Sequence, residues 1–543
     1  MAEKPRITFL TTKILGRKKT NKPYGKGIIM KYNFRMLDGE VFWGGSSEDG
    51  IYAPFDKNTE ISHDFNIACE NQTMPLFLSN RGRCIFSYKP FSVKISNGEF
   101  EIEGEDVRLE SFGSTLKEAY TGAQAKYFPP RGAFLPEIFF KVPQYNTWMQ
   151  HTYNPTEEKV LKYAKEIIEN GFKPGILIID EGWQKEYGIW EFDRIKFPSP
   201  ENMLKKLHEM GFTVMLWLVP SVRPDGIEFV KLWANYLNRE HSNDVFFRTE
   251  AGKITISRWW NGYSASFDMT KPHDREILKT QLDALLKMGV DGFKFDGGRV
   301  EHYTDVEAIN GPVDKSKTAA ERNIAWNEFG TSYRYHEFKD TYMGGGIRSI
   351  QRTSDRNHSW DKYGLNTLIP NAIMQGIIGH PFICPDMIGG GEWTHRDLNY
   401  PIDEELFVRM AQCSAFFPMM QFSWAPWEAV SKEALLHVKA AHDLHVEFSE
   451  TIIKLVNDAY ETGEPIIRSL TYNYPDGNYE YVNDQFMLGE SILVAPVIKK
   501  GQTVKEVHLP KGKWQTRNGE IYEGGRVLSY PVDIGSIPCF FKI

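Results

Sequence analysis

Apolar and polar positions alternate with a short period near both ends of this 543-residue chain and with a longer one between them. Up to about residue 135, short runs such as 51–54, 95–99 and 100–104 are punctuated by turn residues, and no long helical period is present. That pattern predicts an N-terminal β-sandwich over 1–135. From about 140, helical runs at 157–168, 202–210 and 275–288 alternate with apolar runs at 176–180, 213–220 and 289–296. Further candidate strands fall at 342–350, 381–386, 416–422 and 465–470. Repeated βα units of this size predict an α/β fold, a (β/α)8 TIM barrel over 136–475, in preference to an open sheet. The stretch 221–268 is long for a βα connection and holds Trp259-Trp260-Asn261-Gly262; long loops at the C-terminal mouth of a barrel usually shape what binds there. Beyond 475 short strands return at 485–488, 491–497 and 504–510, so a small C-terminal β-sandwich over 476–543 completes the expected architecture.

Composition narrows the function classes. The chain is 41% hydrophobic and 25% charged with a net charge of −7, ordinary usage for a globular protein of several domains. The one basic block, Arg17-Lys18-Lys19, is too small for a phosphate-backbone partner, so neither nucleic acid nor a membrane surface is expected. Aromatic residues make up 14%. They suit a protein that stacks sugar rings, although large mixed domains also bury many aromatics. The five cysteines (Cys69, Cys84, Cys384, Cys413, Cys539) are scattered without a Cys-x-x-Cys pair, which predicts free thiols, no metal and a reducing compartment. No apolar leader core follows Met1 and no stretch reaches about 18 apolar residues, so a cytoplasmic protein is expected, a removed leader aside. No Gly-x-Gly-x-x-Gly follows a strand, and Gly-x-Ser-x-Gly and His-Glu-x-x-His are missing, so no cofactor is expected. A homo-oligomer is compatible with all of this.

Candidate chemistry sits at strand ends. Asp296 closes Gly292-Phe293-Lys294-Phe295 and is followed by two glycines; Asp355 lies in Arg352-Thr353-Ser354-Asp355, just after the candidate strand at 342–350. Asp180 and Asp386 end two more apolar runs. Any one such acid can be an N-cap or a solvated loop residue, whereas four on one barrel mouth point to a shared site. Two carboxyls facing one another can cut a glycosidic bond. Lys294 shares a face with Asp296 by strand alternation and can form an ion pair with Asp180 or another pocket acid. Arg348 and Arg352 are candidate hydroxyl-binding forks that also hold Asp180 or Asp386. Trp148, Trp183, Trp217, Trp260 and Trp360 could wall the pocket, Trp217 being the one whose apolar strand suits plain core.

These motifs together resemble glycoside hydrolase family 31 over nearly all of 140–543. Asp180 in Ile178-Ile179-Asp180-Glu181-Gly182-Trp183 resembles the family's glycone-binding aspartate, Gly292–Asp296 its nucleophile motif, and Asp355, five residues before Trp360, its acid/base spacing. The runs Asp484–Gly489, Leu493–Val497 and Leu509–Trp514 look like its C-terminal sandwich. The resemblance implies a retaining, exo-acting α-glycosidase: Asp296 attacks the anomeric carbon, Asp355 protonates the departing oxygen and then activates water, and Lys294 touches a sugar hydroxyl. Partial burial beside Trp360 and a nearby ionised Asp296 would raise the pKa of Asp355, while Arg352 and Arg356 would lower it. The substrate is then an oligosaccharide or glycoside, with no metal or cofactor.

Two departures bear on the sugar. Gly297-Gly298-Arg299 follows the nucleophile motif where many relatives carry an acid, and Asp386 stands where many carry a histidine. The first could support a different glycone or loop geometry; the second, with Trp259–Gly262, the Arg352-x-x-Asp355 spacing and Gln421-Phe422-Ser423 followed by Pro426-Trp427, resembles an α-galactosidase-like branch, so terminal α-galactosides are the expected substrate. The alternatives are an α-glucosidase, an α-xylosidase, an α-N-acetylgalactosaminidase or a transglycosylase of the same family, and, outside catalysis, a carbohydrate-binding protein.

Overall fold

The computed structural model describes residues 29–68, 71–227, 229–231, 245–397 and 399–543. The basic triplet at 17–19, Cys69 and part of the 221–268 insertion lie outside the described residues. Eight parallel strands form the central barrel: β1 (Gln144–Asn146), β2 (Ile176–Ile179), β3 (Thr213–Leu218), β4 (Gly292–Phe295), β5 (Tyr335–Phe338), β6 (Ile350–Arg352), β7 (Ile383–Cys384) and β8 (Gln421–Phe422). They are ordered β7-β6-β5-β4-β3-β2-β1-β8. The remaining β7–β8 seam is drawn together by one parallel bridge, Ile388 to Phe422, with Ile388 N donating to Gln421 O at 2.9 Å.

Helices α1 (Glu157–Glu169), α2 (Pro200–Glu209), α3 (Pro272–Met288) and α4 (Ala319–Gly330) follow β1 to β4 in turn. Sequence signals explain their ends. Thr156 caps α1, Thr318 and Glu321 form a capping box on α4, and α3 stops at Gly289, whose φ of +116° suits glycine alone. Residues 339–349 contain no helix. Instead Thr341–Tyr342 leaves the barrel and pairs, in parallel, with Gln72–Thr73 of the N-terminal sheets. Helices α5 (Leu368–Ile377), α6 (Glu404–Ser414), α7 (Lys432–Glu447) and α8 (Ser449–Thr462) complete the ring.

The expected strands met three outcomes. Those at 176–180, 213–220 and 289–296 match β2, β3 and β4. The run at 342–350 divides between the Thr341–Tyr342 edge strand and β6, and 465–470 belongs to the C-terminal sheet through Ile467–Arg468. β1 and β5 went unread because their buried residues include Gln144, Asn146, His336 and Glu337, which break any apolar run.

Two N-terminal sheets face one another across Phe42, Phe77, Phe91 and Phe100. The Ser92–Ser96/Glu99–Gly104 hairpin turns at Asn97-Gly98, both with positive φ (53° and 72°), as a tight two-residue turn requires. Residues 51–54 are not a strand: a 3-10 turn spans Ser47–Tyr52. A helix, Leu116–Tyr127, interrupts the predicted all-β region, because Thr115 and Glu118 supply a capping box and Leu116, Ala119, Tyr120 and Ala123 bury one face. After α8 a six-stranded sheet and the Val504–Leu509/Arg526–Pro531 pair enclose a core of Leu493, Val507, Leu509, Trp514 and Phe540.

The insertion before α3 is tied to α4 by a buried ion pair. Arg322 Nε lies 3.0 Å from Asp268 Oδ2, both side chains being almost wholly buried, and its guanidinium stacks 4.5 Å over Phe247. Replacing Arg322 by methionine strands the Asp268 carboxylate away from water, which typically costs about 3–5 kcal/mol. The expected result is a lower midpoint of chemical unfolding for Arg322→Met; an unchanged midpoint contradicts the assignment.

Candidate active site

The C-terminal ends of the barrel strands open into a cavity of about 290 Å³ lined by Trp148, Asp180, Glu181, Trp217, Trp260, Lys294, Asp296, Arg299, Lys339, Arg352, Asp355 and Trp393, among others. Strand alternation explains the convergence, since inward positions recur every second residue. Lys294 and Asp296 share one side of β4 and its extension, and Trp217, Lys294 and Glu337 lie side by side across β3, β4 and β5.

Asp296 is almost buried. Trp217 Nε1 donates to its Oδ2 at 2.9 Å and Gly297 N donates to its Oδ1 at 2.9 Å. Burial pushes its pKa up, but Lys339 and Lys294 outweigh this and bring it down to about 2. Trp217 is therefore not plain core: its ring is buried, yet its indole nitrogen fixes the strongest nucleophile candidate. Lys294 Nζ lies 2.7 Å from Asp180 Oδ2, which also accepts from Asn146 Nδ2 at 2.8 Å.

Asp355 is the more open acid. Its Oδ2 lies 2.5 Å from Lys339 Nζ and its Oδ1 2.9 Å from Arg352 Nη1. Burial raises its pKa, and the two cations overcome that and hold it well below the ordinary carboxylate range. Arg356 plays no part in this: its guanidinium turns away to Glu48, with Nη1–Oε2 at 2.8 Å. Lys339 follows β5, the strand that the apolar pattern did not reveal, and so was missed. Its signal was a short aromatic–acidic run ending in Lys339-Asp340.

Arg352 is fully buried and meets three carboxylates. Nε is 3.2 Å from Glu337, and Nη1 is 2.8 Å from Asp386 and 2.9 Å from Asp355. Asp386 is sealed behind it, its other oxygen accepting from the backbone N–H of Arg356 (2.6 Å) and Gly391 (2.8 Å). Burial, offset by Arg352, leaves the Asp386 pKa raised to about 6.

Five further expected residues can be placed. Trp148 lines the cavity and donates to Gly391 O at 2.9 Å, and Trp260 stands at the rim, 46% exposed. Trp183 lies outside the cavity, packed on Trp190 and Phe192 with its nitrogen on Trp217 O. Trp360 donates to Asp403 at 3.0 Å and does not reach the cavity. Arg348 precedes β6 and so sits at the opposite end of the barrel from Arg352, where it donates to Gly132 O and Tyr460 O. Arg299 does line the cavity, and its Nε is 3.0 Å from Asp340.

Sequence reading also missed Glu181. Its Oε1 accepts from Tyr187 Oη and Asn261 Nδ2, and Tyr153 Oη donates to Asn261 Oδ1 at 3.2 Å. Tyr187 lies between Gln184–Glu186 and Ile189–Phe192, and Asn261 between Ser257–Trp259 and Gly262–Ser266. Two antiparallel hairpins thus deliver this network to the end of β2. No group of three or more His, Cys, Asp or Glu residues among the described residues is arranged to hold a metal ion, and no described helix is long and apolar enough to cross a membrane.

The mouse myogenesis-regulating glycosidase is 31% identical over 438 residues, covering 79% of this chain and 60% of its own length. Alpha-glucosidase 2 of Bacillus thermoamyloliquefaciens is 24% identical over 95% of this chain and 69% of its own length. The chain thus spans about three-fifths to two-thirds of these relatives. Among solved structures, a Flavobacterium johnsoniae dextranase complexed with glucose superposes with a TM-score of 0.78 at 20% identity, over 94% of this chain and 66% of that one, and so shares the fold. The glycosyl hydrolases family 31 TIM-barrel domain matches residues 142–460 and that family's C-terminal domain matches 463–543. The chain belongs to glycoside hydrolase family 31.

Proposed function

We propose that this protein is a retaining, exo-acting α-glycosidase in which Asp296 is the nucleophile and Asp355 the acid/base. The observation that carries the reading is that these two acids, from the ends of β4 and β6, open into one cavity while their surroundings separate their roles. Asp296 is held ionised and immobile by Trp217, Lys294 and Lys339, as a nucleophile requires. Asp355 is the more exposed of the two. To act as a general acid it must take up a proton and lose its contact with Lys339 as the glycosidic oxygen arrives. In the double displacement the Asp296 carboxylate forms an ester at the anomeric carbon while Asp355–H protonates the leaving oxygen. Water deprotonated by Asp355 then cleaves the ester.

The sugar needs a revised argument. The galactoside expectation drew partly on Asp386 standing in place of a histidine, but Asp386 is enclosed behind Arg352, outside the cavity lining. That substitution therefore carries no information about the direction of O4. Relatives named for an activity on a simple glycoside include α-glucosidases and α-xylosidases, whose sugars share the gluco configuration at C2 to C4, and the similar dextranase was solved with glucose. Both support a gluco-configured glycone. An α-galactoside is the second reading, favoured by the Trp259–Gly262 turn, which brings Trp260 and Asn261 to the site.

On a panel of p-nitrophenyl α-glycosides, the gluco substrate should be turned over faster than the galacto and xylo ones; a leading galacto activity selects the second reading. Asp296→Ala should lower kcat by about 10³–10⁵-fold and Asp355→Ala by about 10²–10⁴-fold, with folding intact. Azide added to Asp296→Ala should give a β-glycosyl azide and azide added to Asp355→Ala an α-glycosyl azide; the reverse stereochemistry exchanges the roles. Lys339 lowers the pKa of both acids, so Lys339→Met should move both limbs of the kcat/KM–pH profile to higher pH. A profile that stays in place shows that Lys339 does not set either ionisation.

A further inference from the structure

Glu181 has one carboxyl oxygen committed and one free. Oε1 accepts both hydrogen bonds of the Tyr187–Asn261 network. Oε2 has no hydrogen-bond partner among the described residues, yet it is not among the sealed, unpartnered buried atoms. The side chain is only 3% exposed and lines the catalytic cavity, so the little of it that is open faces the place a sugar would occupy. Its backbone N–H is itself engaged by Asp180 Oδ1 at 2.9 Å. The two consecutive acids therefore form one wall, with Lys294 paired directly to Asp180 and acting on Glu181 only through space.

We infer that Glu181 is a specificity-determining residue, whose free Oε2 hydrogen-bonds one ring hydroxyl of the glycone beside the part of the sugar met by Asp180. The inference rests on the glycosidase reading and adds to it a named contact. The surroundings favour a carboxylic acid over a carboxylate here. Burial, with Asp180 and Asp296 close by, pushes the Glu181 pKa up to about 8 against the pull of Tyr187 and Lys294. With Oε1 accepting twice, the proton resides on Oε2, so Glu181 donates to the sugar oxygen. A buried donor built for one hydroxyl is left unpaired by a sugar lacking it, and such sites discriminate strongly. Placing the donor on a strand end and bracing it from two hairpins fixes its direction before substrate arrives.

The test uses the best glycoside of the panel and its monodeoxy analogues, with native enzyme, Glu181→Gln and Glu181→Ala. Native enzyme should prefer the parent over one analogue by on the order of 10²-fold or more. Glutamine presents an amide donor at the same place and should keep kcat/KM within about tenfold, with that preference intact. Alanine should lower kcat/KM for the parent by about 10²-fold or more and abolish the preference at that one position, leaving the other analogues ranked as before. The inference is overturned if Glu181→Ala ranks all analogues as native enzyme does, or if Glu181→Gln is as damaged as alanine while melting at the native temperature. Turnover of no α-glycoside by native enzyme defeats the glycosidase reading, and this inference with it; turnover with unaltered ranking in Glu181→Ala defeats this inference alone.

Discussion

One buried guanidinium organises the mouth of this barrel. Arg352 ends β6 and gives its charge to Glu337 inside the barrel, to Asp386 on the loop after β7 and to Asp355 at the rim. A cation removed from water is expensive unless it is paired, and carboxylates from three consecutive strands surround this one: Nη1 donates to Asp355 and Asp386, while Nε faces Glu337 as an ion pair without a hydrogen bond. Exchange for lysine would not reproduce it, because a point charge cannot address three directions from one plane. The same contacts fix the backbone. Asp386 accepts from the N–H groups of Arg356 and Gly391, so the loops that follow β6 and β7 are held in one arrangement around the acid/base candidate.

The N-terminal sandwich completes the bracing from outside. Gln72 Nε2 donates to Lys339 O at 2.9 Å and to Arg352 O at 3.0 Å, and Ser354 N donates to Asn71 Oδ1 at 3.2 Å. These are the residues that carry or adjoin Lys339 and Asp355. The Thr341–Tyr342 strand, which joins the N-terminal sheet where a barrel helix would otherwise stand, brings that sheet into reach. Sandwich and barrel therefore act as one scaffold at this point. The catalytic geometry depends on contacts between residues some 270–280 positions apart in the chain.

How far the sequence could be read follows from this construction. β2, β3 and β4 bury continuous apolar residues and were legible, as were the acids at the ends of β2 and β4. β7 and β8 have only two ladder residues each yet fall inside the expected runs at 381–386 and 416–422, whereas β5 buries His336 and Glu337 and went unread, and β6 begins only at the last residue of the expected 342–350. The residues missed at the site, Lys339 and Glu181, are polar groups whose significance lies in what faces them across the barrel. Conversely, Trp183, Trp360 and Arg348 sit in motifs that look functional, but strand direction and helix packing turn them away from the cavity. Trp217 runs the other way: an apolar strand conceals an indole N–H aimed at Asp296.

The resting site also constrains how substrate binding and chemistry are coupled. Both oxygens of Asp355 are occupied by cations, and a carboxylate so paired is a poor proton donor. In the proposed mechanism, contact with the glycosidic oxygen would have to replace Lys339 at Oδ2, and the free energy for that exchange would come from the remainder of the sugar held against Asp180, Lys294 and the aromatic walls. A glycone that fills the pocket incompletely would then bind without breaking the Lys339–Asp355 contact. Its deficit would fall on kcat as well as on KM, because the missing interactions are those that bring the acid into its reactive state. In the proposed mechanism the hydroxyl contacts would thus be read out at the proton donor as well as in binding.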